Sequence, residues 1–198
     1  MTGVHTIYPD NVHGVKVFCN MEVDGGGWSV IQRRQDGTTN FYRSWSEYKS
    51  GFGSPDRNVW LGNANIHEIT SIGDYELRVD LQDWEGQTWY AVYSSFRVGD
   101  ESTKYTLSLG RYTGTAGDCL RYQNGMKFST YDQDNDASNG VDCFARDHAG
   151  WWYNQCHYVN INGLYKKGKS DKHNVVSWNL ARGPYYSLKF VRMMIHRH

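Results

Sequence analysis

Between residues 114 and 175 the sequence carries no helical or strand period. The stretch consists largely of Gly, Asn, Asp, aromatic residues and Cys, with few aliphatic runs. An aperiodic segment of that length inside a compact domain is normally functional, or is held in place by a metal or a disulfide. Regular structure therefore has to come from the rest of the chain.

The clearest strand is Tyr75 to Leu81, where apolar and charged residues alternate strictly, as a sheet with one wet face requires. Trp89 to Tyr93 and Tyr105 to Leu109 read as its neighbours, and the hairpin-length turns between them predict a largely antiparallel sheet. A later run, Tyr186 to Val191, is expected to complete that sheet. Upstream, Asp24-Gly25-Gly26-Gly27 reads as a hairpin turn leading into Trp28 to Arg33. Ser44-Trp45-Ser46-Glu47 fits a capping box, opening a short helix through Tyr48 that ends near Gly51. Ile66, Ile69 and Ile72 predict a second short helix, capped near Asn63 or Asn65 and stopped at Gly73. The outcome is an α+β fold with short elements. Its 198 residues suit one domain with subdomains. Aromatic residues make up 15% of the chain, too many large rings for a disordered one.

Lys plus Arg and Asp plus Glu both number 21, so the chain lacks the global field used by nucleic-acid binders. Mean hydropathy is −0.71, and no stretch approaches the ~18 apolar residues of a membrane span. Gly-x-Ser-x-Gly, His-Glu-x-x-His and Gly-x-x-x-x-Gly-Lys-Ser/Thr are all missing, and no two carboxylates stand out as an acid and nucleophile pair. These absences argue against an enzyme. The missing Cys-x-x-Cys argues against a zinc ribbon or a thioredoxin-like site. No signal peptide precedes Met1-Thr2-Gly3, so the chain reads as a mature portion of a longer protein. The basic run Lys166-Lys167-Gly168-Lys169 reads as a wet loop, and His196-Arg197-His198 as a frayed, solvated end.

Two parts of the aperiodic segment carry chemistry. Asp132, Asp134 and Asp136 alternate in a turn that runs on to Gly140, which gathers hard oxygens around one point. Ca²⁺ takes six to eight such oxygens, and it outranks Zn²⁺ because no His or Cys intervenes. An EF-hand does not fit, because Ala137 and Cys143 occupy its glycine and glutamate positions. A solvated acidic turn is the alternative. The second part is Gly150-Trp151-Trp152-Tyr153-Asn154-Gln155 between Cys143 and Cys156, followed by His157. Rings beside polar amides are how proteins hold sugars, although Trp151 and Trp152 read first as core residues that fix the loop. His157 is either a donor facing a ligand or a buried, satisfied histidine. The separation of Cys143 and Cys156 suits a local disulfide, yet with Cys19 and Cys119 three full pairings exist and spacing does not choose among them.

Taken together, these residues resemble the fibrinogen-like (fibrinogen C-terminal) domain. The resemblance rests on Val17-Phe18-Cys19-Asn20-Met21, Asp24-Gly25-Gly26-Gly27-Trp28, Ile31-Gln32-Arg33-Arg34, Trp60-Leu61-Gly62 and Tyr75 to Leu81. It continues through Tyr112 to Asp118, Asp132 to Asp136, Trp151-Trp152-Tyr153, Cys156-His157 and Asn162-Gly163-Leu164-Tyr165. It spans nearly the whole chain, in order, and is closest to the ficolin, tachylectin and tenascin group of fibrinogen-related proteins.

The resemblance implies a single domain over 1–198 with an N-terminal subdomain at 1–50. A central twisted antiparallel sheet spans 51–113 with 186–195, and a loop-rich Ca²⁺- and ligand-binding subdomain covers 114–185. It implies a secreted, non-enzymatic, calcium-dependent lectin of innate immunity. Its partners would be microbial surface glycans such as acetylated sugars, peptidoglycan, lipopolysaccharide or lipoteichoic acid, with oligomerisation in the full-length protein. The alternative is a protein-binding module for a receptor or matrix partner, as in tenascin or angiopoietin relatives. For Ca²⁺ the family motif points to the side chains of Asp134 and Asp136 and to carbonyls near Ser138 and Gly140. The family disulfide corresponds to Cys143–Cys156. Cys19 matches a cysteine whose partner lies upstream, and Cys119 stands where the family usually has Ser, either free or linking chains. In acetyl-binding members the peptide before the second cysteine, here Gln155–Cys156, is cis and aims the N–H groups of Cys156 and His157 at the ligand. The apolar half of that pocket departs: Asp147, His173 and Pro184 stand at positions of apolar or aromatic residues. N-acetyl sugars are therefore expected to bind weakly or not at all, with more polar or cationic groups in their place.

Overall fold

The structure is a computed structural model and describes residues 1–140 and 143–198, with the backbone alone at Phe144 and Ala145. In chain order, strands β1 (Gly3–Ile7), β2 (Val15–Asn20) and β3 (Trp28–Arg34) lead to helix α1 (Trp45–Ser50). Short strands β4 (Phe52–Gly53) and β5 (Val59–Trp60) precede α2 (Asn63–Ser71). Next come β6 (Tyr75–Gln82), β7 (Thr88–Tyr93), β8 (Phe96–Val98), β9 (Leu107–Leu109) and β10 (Tyr112–Gly114). The C-terminal part holds α3 (Cys143–Asp147), β11 (Gly168–Lys169), α4 (Asn179–Arg182), β12 (Tyr186–Ser187) and β13 (Phe190–Arg197).

The main sheet runs in the order β1-β2-β3-β13-β6-β7-β10, with β4 and β5 joined beside β3, and its pairings are antiparallel. Along β6 the alternation is realised as read: Leu77, Val79 and Leu81 are buried, and Glu76, Arg78 and Asp80 are only half-buried. On that wetter side Asp80 holds Arg78 and Arg192 of neighbouring β13, each at 2.7 Å. The main core gathers Ile31, Leu77, Val79, Leu81, Val191, Met193 and Ile195 from the sheet with Trp60, Phe128, Trp151 and Trp152. A small second cluster of Trp28, Val30, Val59 and Met194 covers another part of the sheet.

Local chemistry sets several boundaries. The capping box closes as expected: Glu47 N–H donates to Ser44 Oγ, and the Ser44 N–H donates to Glu47. Gly51 ends the helix at φ 92, where a Cβ would stand 2.5 Å from the Leu61 carbonyl oxygen. The second helix differs from the sequence reading. Its N-cap is Gly62, without a side-chain cap, and Ile72 lies beyond its end, largely exposed.

Two strands are also displaced. Residues 105–109 do not join β6. Lys104 and Tyr105 adopt positive φ, and the short β9 that follows pairs with β8 in a separate ribbon. The run from Tyr186 is broken at Leu188-Lys189: β12 pairs with β11, and β13 carries on through His196 and Arg197. The C-terminal histidines are thus no frayed end. His196 lies against Trp28, with ring centroids 5.2 Å apart, and its Nδ1 is 3.1 Å from Glu76.

Candidate functional site

The aperiodic segment is fastened to the sheet by buried polar side chains. Arg34, on β3, is fully buried, and its Nη1 donates to the carbonyls of Ile161 (3.1 Å) and Gly163 (2.7 Å). Its guanidinium also lies 3.9 Å above the Phe41 ring. Burial pulls its pKa down to about 10, which still leaves it charged at neutral pH. Beside it Gln32 Nε2 donates to Asn162 Oδ1 and to the Ile161 carbonyl, and Asn162 Nδ2 donates to the Gly150 carbonyl. Trp151 and Trp152 are fully buried, and Trp152 Nε1 donates to the Tyr105 carbonyl at 2.7 Å. Both are core residues, as their first reading had it.

Within the acidic run the carboxylates divide. Asp132 turns away: its Oδ1 accepts from Trp45 N–H, the first residue of α1, at 2.8 Å. Asn135 is also structural, with Nδ2 donating to the Phe128 carbonyl. Asp134 and Asp136 remain on the loop. Asp134 Oδ1 accepts from Asp136 N–H (3.1 Å), and Asp136 Oδ1 accepts from Ser138 N–H (2.8 Å). Asp134 and Gly140 are exposed, with Gly140 at φ 99, while Asp136 and Ser138 are half-buried. Two carboxylates and neighbouring carbonyls, all hard oxygens on one turn, fit the donor set that Ca²⁺ takes. Asp136 also reaches onward: its Oδ2 accepts from Cys143 N–H at 3.0 Å.

Cys143 and Cys156 form the disulfide, with Cα atoms 5.1 Å apart. Cys19 and Cys119 are free. Cys119 is 1% exposed and accepts from Leu180 N–H, so it cannot link chains, and burial pushes its thiol pKa up to about 11. The peptide before Cys156 is trans rather than cis. The turn is made at Cys156 itself, which sits at φ 64 while Asn154 N–H donates to its carbonyl.

From Cys143, helix α3 runs to Asp147, whose carboxylate is fully buried. Arg146 grips it at both oxygens, Nε to Oδ1 at 3.0 Å and Nη2 to Oδ2 at 2.8 Å. His173 Nδ1 stands 2.8 Å from Oδ1, and His157 Nε2 stands 3.4 Å away. Burial by itself would raise the Asp147 pKa, but His157 and Arg146 outweigh it and hold the carboxyl below its ordinary range. The His157 side chain is 3% exposed and that of His173 29%. Tyr185 lies edge-on to His173 and is exposed. Asp147, His157 and His173 thus converge, whereas Gln155 is exposed and Cys156 serves the disulfide. Arg146 and Tyr185 escaped the sequence reading. Their only signals were adjacency to Asp147 and to Pro184. A separate cleft of about 450 Å³, lined by Phe41, Tyr42, His148, Leu164 and Tyr165, does not contain the cluster.

A large antiparallel sheet with two small ribbons, carrying a loop-built, disulfide-closed site, defines a fibrinogen-type globe. The family described as fibrinogen beta and gamma chains, C-terminal globular domain, matches residues 1–198. The chain belongs to this family. It is 47% identical over 197 residues to ryncolin-4 of Cerberus rynchops, covering 98% of this chain and 57% of that protein. It is 53% identical over 167 residues to fibrinogen-like protein A of Apostichopus parvimensis, covering 83% and 59%. The chain therefore spans under two thirds of the length of these relatives. Among solved structures, the fibrinogen-like globe domain of human ANGPTL2 superposes with a TM-score of 0.96 at 42% identity, covering 100% of this chain and 93% of that one. The lamprey fibrin D-dimer in complex with the peptide Gly-His-Arg-Pro-amide superposes at 0.92 with 36% identity, covering 98% and 68%. No helix among the described residues is long and apolar enough to cross a membrane.

Proposed function

We propose that this fibrinogen-like binding domain belongs to a secreted, calcium-dependent pattern-recognition lectin that binds microbial surface glycans without enzymatic action. One observation carries the reading: the acidic turn and the pocket are mechanically one unit. Asp136 accepts from Cys143 N–H, Cys143 opens the helix that ends on Asp147, and its disulfide reaches Cys156 next to His157. Asp134 and Asp136, with the carbonyls of Ser138 and Gly140, hold the ion. When bound, Ca²⁺ neutralises the two carboxylates and stiffens the turn. The protein's own groups then do the recognising, with exposed Gln155 and Tyr185 and the backbone around His157 bonding sugar hydroxyls or amides, while the buried His157 side chain faces Asp147. Asp147 and His173 shift preference from acetyl methyl groups toward polar or cationic substituents. The disulfide suits an oxidising, extracellular setting. Weak single sites would gain avidity through oligomerisation of the full-length protein. The subdomain boundaries near residues 50 and 113 belong to the same proposal, and limited proteolysis checks them.

The test is a glycan array carrying acetylated, sialylated and bacterial sugars, run in Ca²⁺ and in chelator. Calcium-dependent hits that are lost in Asp134→Ala support the reading, and a blank array from folded, Ca²⁺-bound protein overturns it. A second reading, a peptide- or protein-binding module, is favoured by the buried Asp147 carboxylate, which suits a cationic group. The basic peptide held by the lamprey relative is consistent with it. Titration with Gly-His-Arg-Pro-amide against wild type and Asp147→Asn separates the two.

A further inference from the structure

Asp147 Oδ1 has more claimants than lone pairs. A carboxylate oxygen offers about two acceptor sites, and Arg146 Nε occupies one at 3.0 Å. His173 Nδ1 at 2.8 Å and His157 Nε2 at 3.4 Å compete for the other. Neither nitrogen is aligned for a hydrogen bond, and both are buried with no other partner. At most one of them could be satisfied by the carboxylate. A single cation accepting a lone pair from each of the three groups satisfies all of them at once.

We propose that Asp147, His157 and His173 form a binding site for a divalent transition metal of the Zn²⁺ class, separate from the acidic turn. The three ligand atoms lie within 4.8 Å of one another. Tetrahedral bonds of about 2.0–2.1 Å place ligand atoms about 3.3 Å apart; the two separations from Asp147, 2.8 and 3.4 Å, bracket that value, and the wider spread of up to 4.8 Å has the two imidazoles drawing together as the metal enters. Two imidazoles and one carboxylate select a borderline metal, whereas Ca²⁺ takes oxygens alone. Arg146 grips both oxygens and serves as the outer partner that fixes the carboxylate's orientation. Three protein ligands leave a fourth position for water or a ligand oxygen, and His173, the most exposed of the three side chains, lies edge-on to exposed Tyr185. The site does not depend on the lectin reading.

Cobalt(II), titrated into the protein in excess Ca²⁺, is the probe. We expect one Co²⁺ per chain, with the visible absorption of a four- or five-coordinate site, displaced by Zn²⁺. The signal should disappear in His173→Ala and persist in the double variant His196→Ala/His198→Ala. Folded wild type that takes up no Co²⁺ overturns the proposal. So does uptake that survives His173→Ala or is lost in the double variant. Should His173→Ala fail to fold, X-ray absorption at the zinc edge of the double variant decides. Two imidazoles in the first shell support the site, and fewer overturn it. Calcium-dependent glycan binding without Co²⁺ uptake would keep the lectin reading and sink this one. Co²⁺ uptake with a blank array would do the reverse.

Discussion

The sheet and the segment from Gly114 to Tyr185 are held by opposite means. In β6 and β13 the order comes from side-chain alternation, with Leu77, Val79, Val191 and Met193 closing one core. In the aperiodic segment it comes from single polar anchors. Arg34 and Gln32 reach out of β3 to three residues of one loop, Asp136 ties the acidic turn to Cys143, and one disulfide closes the next turn. Hydrophobic burial is spread over many contacts and tolerates small losses, whereas an anchor is a single bond whose removal strands its partner. A binding region can therefore vary its loops freely, provided that a few buried donors stay in place.

The sharpest way to break this contrast is Arg34→Ala. It strands the Ile161 and Gly163 carbonyls and leaves a cavity, so a loss of roughly 2–5 kcal/mol is expected by urea unfolding, with faster proteolysis at residues 160–163. A loss within about 0.5 kcal/mol, typical of a surface site, would show that the anchor is dispensable. Next in size, the double variant Cys143→Ser/Cys156→Ser should lose about 3 kcal/mol, the value for a loop of this length. Its Ca²⁺-induced rise in melting temperature should shrink as well, since the turn loses its fixed neighbour. Ser44→Ala, on the regular side of the molecule, should lose about 1 kcal/mol through its helix cap and leave ligand binding untouched. The smallest effect is pH-linked. Backbone and side-chain hydrogen bonds from Ser44 and Arg43 hold the Glu47 carboxyl below its ordinary 4.5. That contribution is full above the unfolded value and is lost as pH falls through the lower folded one. Glu47→Gln should flatten this part of the acid limb of the stability curve, and an unchanged acid limb would count against the box.

Legibility followed the same divide. Strand β6, the Ser44–Glu47 box and the Gly-rich hairpin could be read because each is a local pattern. Two strands were misplaced for non-local reasons. Positive φ at Lys104 and Tyr105 diverts β9 into a ribbon with β8, and the pairing of β13 between β3 and β6 orders residues that look like a loose end. In the site, the acidic run was legible as a spacing, although the Asp132 carboxylate turned out to accept from the first N–H of α1. The convergence of Asp147, His157 and His173 was not, because the end of a one-turn helix and two loop residues share no common period and meet only after Arg34 and the disulfide have set the surrounding chain. The resemblance to the family supplied their positions, and the structure replaced its cis peptide with a left-handed Cys156.

The place of β13 has a consequence in time. Strand β13 sits in the middle of the sheet, between two strands that precede it by more than a hundred residues. Until residues 190–197 leave the ribosome, β3 and β6 each present an open edge to whatever is nearby. Closing them is a long-range event and therefore intrinsically slow. The nascent chain depends on being shielded from its neighbours during that wait, and a truncation before Phe190 would leave two unpaired edges where the finished domain has its centre.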